Sequence, residues 1–328
     1  MAYAVKERIE SETVESDRPG SWGSTFVGYA IVVVFVVLCG YYILSHRQDF
    51  AFLGNISLPE AFAAGLLILL SYLVNVFQMK LFLRKFGLRL GFIELAALSG
   101  GSILGNLLIP MRGGTAGLAV YLKKVRGLDF EAFGAIYGGT ALLVALINAA
   151  LSLVGLALLA LLHGYGHPVL TIVVVGIFAL CIVLCIFPPP LNWRTRGLIG
   201  LAVRAAHSWH LLTRDRPLLF LAMASFLVIS LALILSFYFI YRALGMPLPF
   251  SAVIITSSLG NLANLIPLTP GSLGIFDVVV IQVPQLFGLD PARSIAATLV
   301  FRALSFLWAF VLGIPGLLYL VRRNGKKA

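Results

Sequence analysis

The chain has 328 residues, of which 60% are hydrophobic and 11% are charged. A soluble protein is roughly 45–50% apolar and about 25% charged, so this composition excludes an ordinary soluble domain. The net charge of +11 does not indicate a nucleic-acid partner, because the basic residues lie in the loops between apolar segments, where they set the orientation of a membrane protein.

Six apolar segments are long enough to cross a hydrocarbon core of about 30 Å as single helices. Because the core offers no water to backbone polar groups, the sequence predicts an all-α polytopic membrane protein. The first segment is too long for a signal peptide and is expected to stay uncut. The predicted full spans are residues 26–45, 61–83, 133–162, 168–188, 217–244 and 293–321.

Two further apolar segments, 94–122 and 250–287, are interrupted by Gly, Pro and Asn. Each is predicted to be a re-entrant pair of half-helices, which is tolerated where protein or a wet cavity surrounds the irregular backbone. If both segments return to the side from which they enter, most of the 24 Lys and Arg residues fall on one side. The positive-inside rule then places both termini in the cytoplasm. The composition fits a bacterial inner membrane, with an archaeal membrane as the alternative.

The stretch Arg194–Arg214 carries Arg and His residues between Leu, Val and Trp. This pattern predicts an amphipathic helix on the anionic cytoplasmic leaflet. The alternative is a solvated basic loop.

The two broken segments resemble each other. Both contain, in the same order, Leu-Gly-Asn-Leu, Ile-Pro, Gly-x-x-Gly and Gly-Leu-Asp, starting at residues 104, 109, 114 and 127 and again at 259, 266, 271 and 288. Three predicted spans separate the copies, so the copies face opposite ways. The sequence therefore predicts an inverted repeat of residues 26–162 and 163–321, between a polar tail at 1–25 and a basic tail at 322–328. Paired broken segments in two inverted halves indicate a transporter with a midplane site.

Few ionisable residues lie in the apolar segments, and such residues are candidates for function. Arg112 lies in the first broken loop, Asp277 follows the second, and Arg302 lies in the last span. We expect the arginines and the two loops to hold a lipid headgroup, since Arg binds phosphate through two hydrogen bonds. The alternative is that Asp277 and Arg302 form a structural ion pair without a ligand.

Polar uncharged residues of the same loops complete the predicted site. They are Asn106, Asn261, Asn264, Thr269 and Ser272. The alternative for the Asn side chains is that they cap half-helices. No catalytic motif and no cluster of metal ligands is present in the sequence, so we expect neither an enzyme nor a bound cofactor.

The stretch Asn264–Asp277, followed by Ala296–Arg302, resembles the lysylphosphatidylglycerol synthase transmembrane region family, and Asn106–Leu122 is similar to its first broken loop. The resemblance implies a lipid-flipping membrane domain of the stand-alone kind, without the soluble aminoacyl-transferase domain of two-domain relatives. Asp277 stands where the family has Glu. Thr115 and Leu118 stand where the first loop has Glu and Arg, which argues against aminoacyl-phosphatidylglycerol as the substrate.

The expected function is translocation of an anionic or amphiphilic lipid between leaflets, with a phospholipid or a polyprenyl- or hopanoid-type lipid as partner. One alternative is a permease for a small polar solute or ion. Another is a membrane scaffold or a subunit of a lipid-modifying enzyme, docked through 194–214. The sequence is compatible with a homo-oligomer.

Overall fold

The computed structural model describes residues 56–109, 112–164, 166–187, 215–246, 248–266 and 274–325. These residues form nine α-helices and no strand. In chain order they are α1 (Leu58–Lys85), α2 (Phe92–Leu108), α3 (Gly113–Arg126), α4 (Phe130–His163), α5 (Pro168–Ile186), α6 (Arg216–Ala243), α7 (Phe250–Ala263), α8 (Ile275–Gln285) and α9 (Pro291–Gly325).

Five of these helices, α1, α4, α5, α6 and α9, are long and apolar enough to cross a membrane. They correspond to five of the six predicted full spans, with ends that differ by a few residues. The helical, multi-span membrane class is therefore confirmed. The predicted first span at 26–45 and the amphipathic stretch at 194–214 lie outside the described residues, so the total number of spans stays a prediction.

Each broken segment forms two short helices instead of one long one. The helix α2 has 17 residues, which extend about 25 Å at 1.5 Å per residue, and its three counterparts α3, α7 and α8 are shorter. The breaks fall where Gly, Pro and Asn interrupt the apolar pattern, because these residues leave the last carbonyls and first N–H groups of the flanking helices without intrahelical partners.

The two helices of the first broken segment form a hairpin that is bonded at both ends. At the end where the chain enters and leaves, buried Glu94 in the first turn of α2 forms an ion pair with Arg126 in the last turn of α3. At its tip, Asn106 of α2 contacts Thr115 of α3. The two helices are therefore antiparallel, and the chain leaves the hairpin at the end where it entered.

The helices α1 and α6 form an antiparallel pair that is joined at both ends. Lys85 lies 2.6 Å from Asp215 at one end, and Arg242 lies 3.9 Å from Glu60 at the other. The hydrogen bond from Lys85, and after it the one from the backbone of Leu218, lowers the pKa of the Asp215 carboxyl below its ordinary value. Both ion pairs sit at helix ends, where water is available to the charges.

The short helices pack against long helices that are distant in the sequence. The helix α2 packs on α9, and α7 packs on α4. Glycines permit the first of these contacts, since a Cβ on Gly100 would lie 2.6 Å from the carbonyl oxygen of Leu312, and one on Gly313 would lie 2.6 Å from the Cβ of Leu104. Small residues that let two backbones approach are the usual basis of tight helix packing in membranes.

We expect Gly100→Ala to destabilise the fold by about 1–3 kcal/mol, because the added methyl group meets backbone atoms of α9 that cannot turn away. The measurement is thermal or denaturant unfolding of the purified protein in micelles. Gly176→Ala in α5 is the matched control, since nothing lies within 4 Å of its Cβ position. Equal stability of the two variants would contradict the contact between α2 and α9.

Candidate functional site

A cavity of about 400 Å³ lies at the centre of the helix bundle. Its wall takes side chains from every described helix except α5. Small-molecule sites usually have volumes of about 300–1,000 Å³. The cavity therefore has the size of a headgroup or a small solute, and it lies where the two hairpins meet the long helices.

Most of the site residues predicted from the sequence come together in this wall. Asn106, Arg112, Asn261, Asn264 and Arg302 line the cavity. Asp277 is not part of the lining and lies behind Arg302, to which it is bonded. Thr269 and Ser272 lie outside the described residues, so their role in the site stays a prediction.

Asp277 and Arg302 form an ion pair in the cavity wall. The Nε of Arg302 donates to Oδ1 of Asp277 at 2.8 Å, and the carboxylate is only 1% exposed. The other carboxylate oxygen accepts the backbone N–H of Gly274 at 2.9 Å, at the start of α8. The guanidinium also lies over the ring of Phe276, 4.8 Å from its centroid, where a cation is attracted to the π electrons. This is the geometry of the structural pair, and a headgroup role for either residue stays a prediction.

Asn106 closes the tip of the first hairpin. Its Oδ1 accepts the backbone N–H of Thr115, the third residue of α3, at 2.9 Å, and its Nδ2 donates to the Thr115 hydroxyl at 3.0 Å. A side-chain oxygen on an N–H of the first helical turn is a capping interaction. Gly114 makes this close approach possible, because a Cβ there would lie 2.0 Å from the carbonyl oxygen of Ser102.

Arg112 joins the two hairpins. Its Nη2 donates to the backbone carbonyl of Asn264, at the C-terminal end of α7, at 2.8 Å. Arg112 has a φ of 57°, and among the described residues no other non-glycine has a positive φ. Left-handed backbone is costly for a residue with a long side chain. The residue that holds the hairpins together is therefore also conformationally strained.

Asn261 reaches the long helix α4. Its Nδ2 donates to Oδ1 of Asn148 at 3.2 Å, and Asn148, 2% exposed, donates to the carbonyl of Val144 at 2.9 Å. Asn261 and Asn106 occupy equivalent positions of the repeated Leu-Gly-Asn-Leu motif. Their hydrogen-bond partners differ. Asn106 bonds within its own hairpin, whereas Asn261 bonds to another helix.

We did not predict from the sequence that α1 contributes to the cavity. Ser71, Tyr72 and Asn75 line it from the middle of this helix. The sequence does contain a pattern that predicts this contribution, because the polar residues 71, 72 and 75 share one face of a helix that is otherwise mostly apolar. Asn75 is exposed, and an exposed amide at the middle of a membrane helix is expected only on a wet surface.

The wall contains no metal centre among the residues that the structure describes, since no three His, Cys, Asp or Glu side chains there come together in a way that could hold an ion.

Comparison with known proteins places this arrangement in a family. The family model described as the lysylphosphatidylglycerol synthase TM region matches residues 25–313. The chain belongs to this family. The match spans all four short helices and most of α9, so both hairpins and the cavity between them are part of the family's domain.

One curated relative is a UPF0104 membrane protein of Methanothermobacter thermautotrophicus. It is 34% identical over 95 residues, which cover 29% of this chain and 28% of that protein. The aligned part therefore spans less than a third of the relative's length.

We expect the pair of Asp277 and Arg302 to be strongly coupled. Asp277→Asn or Arg302→Gln alone should destabilise the protein by about 3–5 kcal/mol, because each leaves a buried charge without its partner. The double variant should be less destabilised than the sum of the two, by at least about 1 kcal/mol. The measurement is a double-mutant cycle on unfolding in micelles.

The exposed pair Lys85 and Asp215 is the matched control for this cycle. Lys85→Gln and Asp215→Asn should couple by about 0.2–1 kcal/mol, as exposed ion pairs do. If the two cycles give equal coupling, the buried pair does not stabilise the wall of the cavity.

Proposed function

We propose that this protein moves a lipid with an anionic headgroup between the two leaflets, with the headgroup in the central cavity and the acyl chains outside the bundle. The observation that carries this proposal is a cavity lined by several polar side chains, between the two hairpins of a protein in the lysylphosphatidylglycerol synthase transmembrane region family. The family is named after the membrane region of a lipid synthase, and the cavity supplies a place for a headgroup.

The pairing of helices supports an inverted repeat. The contact between α2 and α9 has its counterpart in the contact between α7 and α4, and α1 pairs with α6, its own counterpart. This is the pattern expected of two halves related by an axis in the membrane plane, each giving its hairpin to the last long helix of the other. In this proposal both hairpins are re-entrant, and the cavity between them lies near the midplane.

The cavity lowers the barrier that a headgroup meets in hydrocarbon. Its wall presents hydroxyl and amide groups on α1, α2 and α7 inside a bundle whose outer surface is apolar. A charged or polar headgroup that crosses bare lipid loses its hydrogen bonds to water, whereas polar groups of the wall replace them. A volume of about 400 Å³ suits a headgroup better than a whole lipid, so the acyl chains stay in the bilayer.

The exposure of Asn75 favours a flippase over a permease. A permease for a small solute needs a cavity closed to lipid, whereas a flippase needs an opening through which the headgroup stays joined to its chains. Asn75 lines the cavity and is exposed, and in this proposal the cavity opens to the lipid beside α1. We place the protein in the inner membrane with both termini in the cytoplasm, as the basic loops predict.

We expect Asn75→Trp to abolish lipid movement, because the indole would fill the opening of the cavity. The measurement uses liposomes that contain the protein and a lipid with a fluorescent acyl chain, and it follows the fraction of label that an impermeant quencher reaches. Leu73→Trp is the matched control, since Leu73 is 40% exposed on the same helix and does not line the cavity.

The control variant should move lipid at the rate of the unchanged protein. If the unchanged protein moves no lipid beyond protein-free liposomes, lipid flipping is the wrong function. If Asn75→Trp moves lipid as fast as Leu73→Trp, the cavity is not the path.

A further inference from the structure

The two arginines of the cavity differ in their partners. Arg302 is neutralised by Asp277 at 2.8 Å. No carboxylate among the described residues forms an ion pair with Arg112, whose hydrogen bond goes to the neutral carbonyl of Asn264. The described wall therefore carries one positive charge without a negative partner, and that charge is on the tip of the first hairpin.

The carbonyl of Asn264 is a weaker partner for a guanidinium than a phosphate is. This carbonyl accepts one N–H of Arg112 and has no net charge, whereas a phosphate accepts two parallel N–H donors of the guanidinium and carries the opposite charge. Arg112 lies at the cavity wall and bonds to Asn264 through Nη2, so a phosphate that accepts from both Nη groups competes with Asn264 for Nη2.

We propose that Arg112 binds the phosphate of the transported lipid, that the preferred headgroup carries one net negative charge, and that this binding releases Arg112 from Asn264 and so parts the two hairpins. The proposal rests on the proposed function and deepens it. The charge follows from pairing, since a headgroup with one net negative charge neutralises the single guanidinium of Arg112, for which the described residues supply no carboxylate. A zwitterionic headgroup brings its own cation into the wall, where Arg112 repels it.

The release links substrate binding to movement. The bond between Arg112 and Asn264 joins residues that are 152 positions apart, on the two broken segments. A ligand shifts a conformational equilibrium only by binding one state more tightly than the other. The exchange of partners supplies this difference, because the bond between the hairpins and a phosphate held by both Nη groups use the same Nη2 of Arg112.

The first test measures binding with the full chain in nanodiscs that hold phosphatidylglycerol, which has one negative charge, or phosphatidylethanolamine, which has none. We expect the unchanged protein to retain phosphatidylglycerol at least about tenfold more strongly, as charge-assisted pairing predicts. Arg112→Gly should lose this preference. Glycine accepts the left-handed backbone of residue 112, so the variant removes the guanidinium without adding strain.

Two further variants separate the charge from the fold. Arg112→Lys keeps the cation and loses the fork of donors, so it should keep a reduced preference. Arg112→Asn also accepts left-handed backbone and should behave as the glycine variant does. Preference for phosphatidylglycerol that is unchanged in both Arg112→Gly and Arg112→Asn would overturn the proposal.

Inorganic phosphate added to phosphatidylethanolamine nanodiscs distinguishes a lipid site from a site for a free anion. We expect no stabilisation of the protein by millimolar phosphate. Stabilisation that disappears in Arg112→Gly would overturn the assignment to a lipid. Equal retention of the two lipids by the unchanged protein would also overturn the proposal, whereas lipid flipping would stand if the liposome assay still shows movement.

The second test follows the hairpin tips. Spin labels on Leu108→Cys and Leu265→Cys, in a background with the three native cysteines replaced by serine, report the distance between them. We expect phosphatidylglycerol to lengthen this distance relative to phosphatidylethanolamine. In Arg112→Gly the distance should not depend on the lipid. A distance that the lipid leaves unchanged in the otherwise native protein would overturn the release of the hairpins.

Discussion

The broken helices impose the constraint on which the rest of the site depends, because each break leaves backbone N–H and carbonyl groups without helical partners inside a bundle that excludes most water. Side chains of the site supply the missing partners. Asn106 accepts the N–H of Thr115, Asp277 accepts the N–H of Gly274, and Arg112 donates to the carbonyl of Asn264. Three of the residues that the sequence marks as candidate ligands therefore satisfy backbone groups at the breaks.

The two hairpins meet this constraint with different chemistry. A neutral amide closes the tip of the first, whereas a carboxylate begins the last helix of the second and then needs Arg302 to balance its charge. This asymmetry agrees with the departures from the family pattern, since Thr115 and Leu118 stand where the first loop usually carries charges. The cavity therefore has one arginine neutralised by the protein and one that faces the cavity without a described acid. The two broken segments thus share a sequence motif but differ in the charges of their side chains.

The long helices around the hairpins are joined by ion pairs at their ends and are packed tightly in their middle. Ion pairs join α1 and α6 at both ends, and glycines let α2 approach the backbone of α9. The indole N–H of Trp308 donates to the carbonyl of Gly65 at 2.7 Å and ties α9 to α1. By contrast, the hairpin tips meet through the single described hydrogen bond of Arg112 to Asn264.

The sequence by itself determined the helical membrane class, the positions of five long helices and both breaks, because hydropathy and the backbone limits of Gly and Pro act locally. It also marked Asn106, Arg112, Asn261, Asn264 and Arg302, since polar groups in apolar segments are rare. Only the tertiary structure decided their partners: Arg112 with a carbonyl 152 residues away, Asn261 with Asn148, and α1 as a wall of the cavity. These contacts join helices that are distant in the chain. Composition, spacing and periodicity do not predict which helices pack together.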